Sequence, residues 1–459
     1  MSRTYARLLI ALVAAAHAAF FIVYQRPDWD TEWTDQVGYT RLGRALAQTG
    51  RFTRYPDYPT FVPEVIRTPG YPVFVAAVNR TIGEGHMRVA IAQAGVFAAI
   101  CLLVYGLARM IAGDGVALAA GLATALYPPL PYYGALTLTE VFTTFLVTLA
   151  VYLWLRSLRS AGSGVGWAIG AAVIFAWAAL TRPSFQHLPI FLIAAACLIA
   201  PRVARAWRRS AVLIAVFAAT IAPWLLYNYA HLGMFTFTPA GGIGRTLWEG
   251  TWQIALPGRV QSMLTDIADT TPDRADLDRK VRALAGDERL DPAPMLDYVH
   301  QWQDIRRIWT EPQEPWARAR ARIAADGEYL RVGLENIGHN RTLHVFRRLT
   351  RGLMLLWMTE IPVRYSDINN LPPLAIRAIW LPQALLVVAA MAGLVVLWRR
   401  GAHVEAAALG ATIVYVTAVH AVLYSEARYA LPAKPIVLLL AVVAVWDLAV
   451  MRNRRRRSS

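Results

Sequence analysis

The sequence has 459 residues, of which 56% are hydrophobic and 17% charged, and its mean hydropathy is +0.38. These values exclude a water-soluble enzyme. Basic residues exceed acidic ones by 46 − 30 = 16 charges. They cluster at the ends of apolar runs, which indicates membrane orientation and not nucleic-acid binding. Cys101 and Cys197 both fall in predicted spans and supply neither a disulfide framework nor a cysteine-ligated metal site.

The chain begins with a basic flank and an apolar run from Leu8 to Tyr24. Ala16 to Ala18 resembles a signal-peptidase site, but the apolar run continues beyond it. This favours an uncleaved signal anchor over a cleaved signal peptide. Nine more apolar runs follow, so we predict about ten transmembrane helices. The nine lie at about 89–111, 116–130, 141–155, 165–180, 185–200, 211–227, 379–398, 404–424 and 430–451.

Basic residues flank these runs on one predicted side of the membrane. They are Arg156, Arg159, Arg202, Arg205, Arg208, Arg209, Arg399, Arg400 and the arginines of the C-terminal tail. By the positive-inside rule this side is cytoplasmic and both termini lie there. The arginine-rich and alanine-rich composition suggests a bacterial inner membrane, with the functional site on the external, periplasmic face.

We therefore predict an all-α polytopic membrane protein with three parts. Residues 1–229 form an N-terminal transmembrane module whose first external loop, 25–88, contains amphipathic helices. Residues 230–373 form a helical external cap, and residues 374–459 form the C-terminal helices and a basic cytoplasmic tail. The segment 347–363 is too short and too closely flanked by charges for a confident span, which favours an interfacial helix.

The first loop places an acidic and a basic residue in defined local settings. Asp35 precedes Tyr39 by four residues, so its carboxylate shares a helix face with the apolar stripe of Leu42 and Leu46. It is either a first-turn helix acid or a functional acid. Arg67 precedes a rigid turn, Thr68 to Pro72, and its planar fork suits a phosphate. The alternative is an interfacial arginine that reaches lipid headgroups.

Other polar residues fall at the same predicted end of the spans. Glu140 begins an apolar span, where a carboxylate is costly unless it is paired or lines a wet cavity. A carboxylate that simply starts a helix is the alternative. Arg182, Asn228 and the stretch Glu426 to Tyr429 lie on the same side. We therefore expect these residues to converge at the external membrane surface.

An ordered set of motifs runs through most of the chain. The motifs are D-x-x-x-Y (Asp35, Tyr39), A-L-A-Q-T-G-R-F (Ala45 to Phe52), R-T-P-G-Y-P (Arg67 to Pro72), L-T-E (Leu138 to Glu140), L-T-R-P (Leu180 to Pro183), P-W-x-x-x-N-Y (Pro223 to Tyr229) and A-R-Y-A-L-P (Ala427 to Pro432). The set resembles the GT-C type of membrane glycosyltransferase, which uses polyprenyl-phosphate sugars. That type includes the protein O-mannosyltransferases of glycosyltransferase family 39 and the aminoarabinose transferases of lipid A. Tyr227 departs from the pattern, because many relatives carry arginine there.

The resemblance implies an inverting transfer of one sugar from a polyprenyl-phosphate donor to a hydroxyl or similar nucleophile. The acceptor would be a lipid, a glycan or a protein. Asp35 would be the general base and Glu140 would orient it, an arginine or the sugar. The expected donor-phosphate residues are Arg67, Arg428, Arg182 and Lys434. The expected sugar- and acceptor-positioning residues are Tyr39, Tyr71, Asn228 and Tyr429.

No organic cofactor or nucleic acid is expected, and membrane lipid is the surrounding partner. Asp28 to Asp30 spells D-x-D but follows a membrane helix, so the sequence leaves a divalent metal open without indicating one. The principal alternative is a transporter or flippase of lipid-linked sugars, which needs no base at Asp35. A second alternative is a polymerase or ligase of lipid-linked glycans. A non-enzymatic scaffold would leave the polar residues at the external end without a purpose.

Overall fold

The structure, a computed structural model, describes the whole chain except residues 1, 30–33, 161, 163, 200–205, 365–366, 368–370 and 459. The described residues are mainly helical and contain no strand. The α-helices are α1 Arg3–Gln25, α2 Thr34–Thr49, α3 Gly70–Thr81, α4 His86–Ala112, α5 Asp114–Ala125, α6 Pro129–Gly134, α7 Glu140–Arg159, α8 Gly164–Thr181, α9 Leu188–Ile199, α10 Ala206–Leu232, α11 Ile243–Ala255, α12 Gly258–Thr270, α13 Arg274–Glu288, α14 Pro292–Thr310, α15 Pro315–His339, α16 Arg341–Arg347, α17 Leu353–Trp357, α18 Pro373–Arg399, α19 His403–Val422 and α20 Lys434–Ser458.

Among the described residues, eight helices are long and apolar enough to cross a membrane. The predicted all-α polytopic membrane protein is thus confirmed. Two of the ten predicted runs, 116–130 and 185–200, form the 12-residue helices α5 and α9, which are shorter than the usual span. The α5 helix ends before Pro128 and Pro129 because proline removes an amide donor from a helix interior. Arg202 and Arg205 lie outside the described residues.

The two ends of the bundle carry different ion pairs. At one end Arg3 lies 3.6 Å from Asp114, and Arg400 lies 2.5 Å from Asp447. The opposite end carries Asp35, and we call it the Asp35 end. Between the ends, one large apolar core joins α1, α4, α7 and α20, with Trp154 fully buried within it. This core holds the residues of the Asp35 end in fixed relative positions.

The first loop folds as two helices, α2 and α3, packed against each other and against the bundle. A Cβ on Gly43 would stand 2.4 Å from Val75, so the glycine permits the close approach of α2 and α3. A Cβ on Gly70 would stand 2.7 Å from the Leu180 carbonyl oxygen, at the end of α8. The side chains at Asp35 and Arg67 therefore come from a packed element and not from a free loop.

The cap has an apolar core of its own. Trp248, Leu277, Val281, Met295 and Val299 are buried in this second cluster, which is built from α11 to α15. The following segment, 341–357, is helical throughout, with a π-helical turn at Arg348–Gly352. It overlaps the segment 347–363, for which the sequence suggested an interfacial helix. Its Phe346 and Leu349 side chains are exposed, whereas Arg348 is buried and donates to Gln253 Oε1.

Candidate active site

Five charged residues from separate parts of the sequence meet at the Asp35 end. Asp35 lies in the first turn of α2, and Arg67 precedes α3. Glu140 is the first residue of α7, and Arg182 directly follows α8. Arg428 lies in a 3-10 turn, Ala427–Ala433, before α20. The expected convergence of these five residues is found in the structure.

Asp35 is held between two guanidinium groups. Arg67 Nη2 donates to Asp35 Oδ1 at 2.7 Å, and Arg428 Nη1 donates to Asp35 Oδ2 at 3.4 Å. Burial alone would raise the pKa of Asp35, but Arg67 and then Arg428 outweigh it and lower the pKa to about 2. The Asp35 side chain is 39% exposed, so an ionised carboxylate is accessible from the protein surface.

Arg67 is fixed by its backbone and by its side chain. Glu64 Oε1 accepts the amide hydrogens of Ile66 at 2.8 Å and of Arg67 at 3.1 Å, which sets the turn. The guanidinium carbon lies 4.1 Å from the centroid of the Tyr39 ring, a cation–π contact. A Cβ on Gly38 would stand 2.9 Å from Arg67 Nε, so this glycine gives the side chain its space.

Glu140 joins the two other arginines and is almost fully buried, with 2% of its side chain exposed. Its Oε1 lies 3.5 Å from Arg182 Nη2 and 3.5 Å from Arg428 Nη1. Arg428 also contacts Glu426, with Nε 2.8 Å from Oε1. Glu140 therefore contacts both guanidinium groups from a buried position.

Some donors of the cluster are not used within the described residues. Arg67 Nε and Arg182 Nη1 are buried and have no hydrogen-bond partner there. Tyr429 stacks under Arg182, with the guanidinium carbon 4.4 Å from the ring centroid. Stacking fixes a guanidinium by its face and leaves its edges free to donate. Such an arrangement can bind an oxyanion with several charge-assisted hydrogen bonds.

Other predicted site residues have different contacts. Lys434 Nζ is fully buried and donates to the Trp357 carbonyl oxygen at 3.2 Å and to Gln383 Oε1 at 3.1 Å. Asn228 Nδ2 donates to the Thr236 carbonyl oxygen at 2.6 Å and so holds the chain that follows α10. The described contacts of these two residues do not include the five charged residues.

Tyr71 packs against Tyr39, which in turn contacts Arg67. Its hydroxyl donates to Gln93 Oε1 at 3.1 Å, and its ring meets Tyr39 edge to face at 5.0 Å. Tyr39 in turn carries Arg67 on its ring face. Tyr71 thus acts on Arg67 through Tyr39, whereas Tyr39 and Tyr429 touch the arginines directly.

Sequence reasoning missed several residues at this end. Glu64 sets the Arg67 turn, and an acid three positions before Arg67 was the signal that could have revealed it. Gln36, next to Asp35, accepts the amide hydrogen of Thr137 at 2.9 Å. Arg245 of the cap helix α11 is close enough for Asp35 to contribute to raising its pKa, although Glu249 is the main cause. No pattern in the sequence pointed to Arg245.

The described residues contain no group of three or more histidine, cysteine, aspartate or glutamate side chains that could hold a metal ion. Asp30, the second acid of the D-x-D triplet, lies outside the described residues. Trp29, the central residue, donates from Nε1 to the Ala135 carbonyl oxygen at 2.9 Å and anchors the first loop to the bundle.

Comparison with known proteins gives one family match. Residues 66–227 match the family model described as dolichyl-phosphate-mannose-protein mannosyltransferase. The matched region contains Arg67, Glu140 and Arg182, whereas Asp35 and Arg428 lie outside it. No curated protein matches the chain significantly.

Solved structures share the fold. The oligosaccharyltransferase AglB from Archaeoglobus fulgidus, in complex with an inhibitory peptide and a dolichol-phosphate, has a TM-score of 0.55 at 13% identity and covers 100% of this chain and 52% of its own. The apo form of the oligosaccharyltransferase from the same organism gives 0.54 at 12% identity, with 99% and 52% covered. ArnT from Cupriavidus metallidurans bound to undecaprenyl phosphate gives 0.42 at 16% identity, with 97% and 78% covered.

The chain spans about half the length of the oligosaccharyltransferase chains that it resembles. Its fold agrees with theirs over its whole length, and the family model covers the part that carries three of the five charged residues. The predicted resemblance of this integral membrane protein to the GT-C type is therefore confirmed at the level of the fold and of the matched family region.

Proposed function

We propose that the protein transfers a single sugar from a polyprenyl-phosphate donor to an acceptor nucleophile, with inversion and with Asp35 as general base. The acceptor is a hydroxyl or similar group on a lipid, a glycan or a protein. The observation that carries the proposal is the cluster of Asp35, Glu140 and three arginines at one end of the bundle. Its single exposed carboxylate lies among cations that can hold a phosphate.

The proposed step needs only one general base and the three arginine cations. The acceptor oxygen forms a bond to the anomeric carbon as its proton passes to the Asp35 carboxylate. The bond between the anomeric carbon and the phosphate oxygen breaks, and its electron pair leaves with the polyprenyl phosphate. Because this leaving group is a weakly basic anion, Arg67, Arg182 and Arg428 can stabilise it without a general acid. A positioned general base typically contributes 10² to 10⁴ in rate.

Donor binding would also change the state of the base. Arg67 and Arg428 hold the pKa of Asp35 at about 2 in the empty site, because they outweigh its burial. A donor phosphate competes for the same guanidinium groups, which frees the carboxylate and raises its proton affinity towards a value that suits proton abstraction. The acceptor would then be activated only when the donor is in place.

The site would face the external side of the membrane. Arg159 and Arg400 lie at the opposite end of the bundle, and positively charged flanks favour the cytoplasmic side. Both termini would then be cytoplasmic and the cap external. In a bacterial inner membrane, the reaction would occur at the periplasmic surface.

Single-turnover transfer by the purified full-length protein tests this assignment. Wild type and Asp35→Asn are mixed with a polyprenyl-phosphate monosaccharide and envelope glycolipid extracts, and labelled sugar is followed into product. We expect Asp35→Asn to slow transfer by about 10² to 10⁴ while donor binding is retained or strengthened, because the Asp35 carboxylate no longer competes for Arg67 and Arg428. Arg51→Gln is the control, because Arg51 is exposed and forms no ion pair among the described residues. Full transfer by Asp35→Asn would refute the base assignment.

The same experiment separates the alternatives. A wild type that moves lipid-linked sugar between bilayer leaflets without forming product would be a flippase. Products that lengthen, or a requirement for an oligosaccharide donor, would indicate a polymerase or ligase. Mass spectrometry of envelope glycans from a deletion strain would then identify the sugar and the acceptor.

A further inference from the structure

A small open cleft lies where the first loop meets the cap. Its volume is about 20 Å³, and its walls include Arg54 and Glu64 from the first loop with Ala319 and Arg322 from α15. The cleft adjoins the site, because Glu64 also holds the backbone amide of Arg67. A group bound in the cleft would therefore be anchored beside the turn that carries Arg67.

Arg322 is stacked on an aromatic ring in this cleft but does not use all of its hydrogen-bond donors. Its guanidinium carbon lies 4.5 Å from the Trp309 ring centroid, and its buried Nε has no hydrogen-bond partner among the described residues. Stacking positions the group by its face and leaves the N–H edges available. Burial, together with the like charge of Arg54, lowers the pKa of Arg322. The side chain is thus held in place without an ion-pair partner among the described residues, although the charge of Glu64 favours its ionised form.

The charge of the cleft is not balanced by its own acid. Glu64 Oε1 accepts two backbone amides, and its Oε2 accepts Arg54 Nε, so both oxygens are already used. Two guanidinium groups therefore face one engaged carboxylate. One turn earlier, Arg318 bonds only to neutral oxygens, those of Pro312 and Gln313. A partly buried cation without a counterion is costly, and an added anion would relieve that cost.

We propose that this cleft binds a phosphate or carboxylate group of the acceptor, with Arg322 as the principal donor and Arg54 as the second charge. The assignment to the acceptor rests on the proposed transferase function, whereas the affinity for an oxyanion does not. The cleft, at about 20 Å³, has room for one or two oxygen atoms of an acid group, since a single water needs roughly 10–15 Å³. The reacting part of the acceptor would lie outside the cleft, towards Asp35.

Calorimetric titration of the full-length protein in phosphatidylcholine nanodiscs tests the cleft. The probes are glucose 1-phosphate, glucuronate and uncharged glucose. We expect the two acids to bind and glucose not to bind. Because a charge-assisted hydrogen bond is worth about 1.5–3 kcal/mol, Arg322→Gln should weaken acid binding at least about tenfold. Arg320→Gln is the matched control, because Arg320 lies on the same helix, is exposed and stacks on Trp316; it should change affinity less than about twofold.

Further variants separate this site from the Asp35 cluster, the name we give to Asp35, Arg67, Glu140, Arg182 and Arg428 together. The binding component lost in Arg322→Gln should persist in both Arg182→Gln and Asp35→Asn. Loss of transfer in Asp35→Asn with acid binding intact would keep the two proposals distinct. Equal acid binding by Arg322→Gln and wild type would overturn the proposal that the cleft binds an acid group. Displacement of both acids when phosphatidylglycerol is added to the nanodiscs would assign the cleft to a lipid headgroup and overturn the acceptor assignment.

Discussion

Two polar clusters lie near each other at the Asp35 end, and they differ in access. The Asp35 cluster has an exposed carboxylate and buried donors without partners among the described residues. The second cluster, which we call the Lys434 cluster, consists of Lys434, Glu360, Gln383 and Trp357. Lys434 and Glu360 are both buried, and Lys434 Nζ donates two hydrogen bonds, one to Gln383 and one to Trp357.

The difference shows that charge near a motif does not by itself make a functional site. Lys434 lies two residues after A-R-Y-A-L-P, and the sequence analysis assigned it to the donor phosphate. In the structure it holds the end of α17 and the start of α20 together. Burial raises the pKa of Glu360, and the nearby positive charge of Lys434 opposes this effect. We expect the Asp35 cluster to control transfer and the Lys434 cluster to control stability.

The largest expected effect concerns the Lys434 cluster. Lys434→Met should destabilise the protein by about 3–5 kcal/mol, because it removes two hydrogen bonds from a charged group, each worth about 1.5–3 kcal/mol, together with the positive charge near buried Glu360. Glu360→Gln combined with Lys434→Met should recover part of this loss. Equilibrium unfolding in detergent measures the change. The control is Lys280→Met in the cap, where the side chain is 48% exposed. If Lys434→Met weakened donor binding without changing stability, Lys434 would instead belong to the donor-phosphate site.

The next effect concerns the Asp35 cluster. Arg182→Gln should lower kcat/KM for the donor about 10- to 150-fold, the equivalent of about 1.5–3 kcal/mol for a hydrogen bond to a charged group. The unfolding midpoint should move little, because buried Glu140 keeps Arg428 as a cationic partner at 3.5 Å. Steady-state kinetics at saturating acceptor measure the loss, with Arg51→Gln as the unaffected comparison. A loss of stability without a kinetic change would mean that Arg182 stabilises the fold and does not bind the donor.

The smallest effect is a shift in pH dependence. The pKa of Asp35 lies at about 2, below its usual value, so the stability from its ion pairs is complete above pH 4 and is lost as the pH falls towards 2. Removing one cation in Arg67→Gln lets burial dominate and should raise this pKa by about one unit or more. The acid limb of kcat/KM against pH should move upward accordingly. An unmoved limb would show that Asp35 does not govern it.

The local sequence was sufficient to predict most of the long helices and the charged residues of the site. Apolar runs with basic flanks gave most of the long helices, because length and hydropathy are properties of contiguous residues. Asp35, Arg67, Glu140, Arg182 and Arg428 could be selected because each stands beside a helix end or a rigid turn on the same predicted side. The two short helices α5 and α9 were overestimated, because hydropathy does not show where flanking prolines and turns limit a helix.

Tertiary packing decided the remaining features. Asn228 and Lys434 have the right residue types, but their contacts depend on Thr236 and Gln383, which the sequence pattern does not place beside them. The same holds for the cleft at Arg322, whose Glu64 wall is more than 250 residues away in the chain. The sequence by itself determined the membrane helices and the charged residues at one end. Only the folded chain decided which charges are neutralised, because neutralisation depends on distances between residues far apart in the sequence.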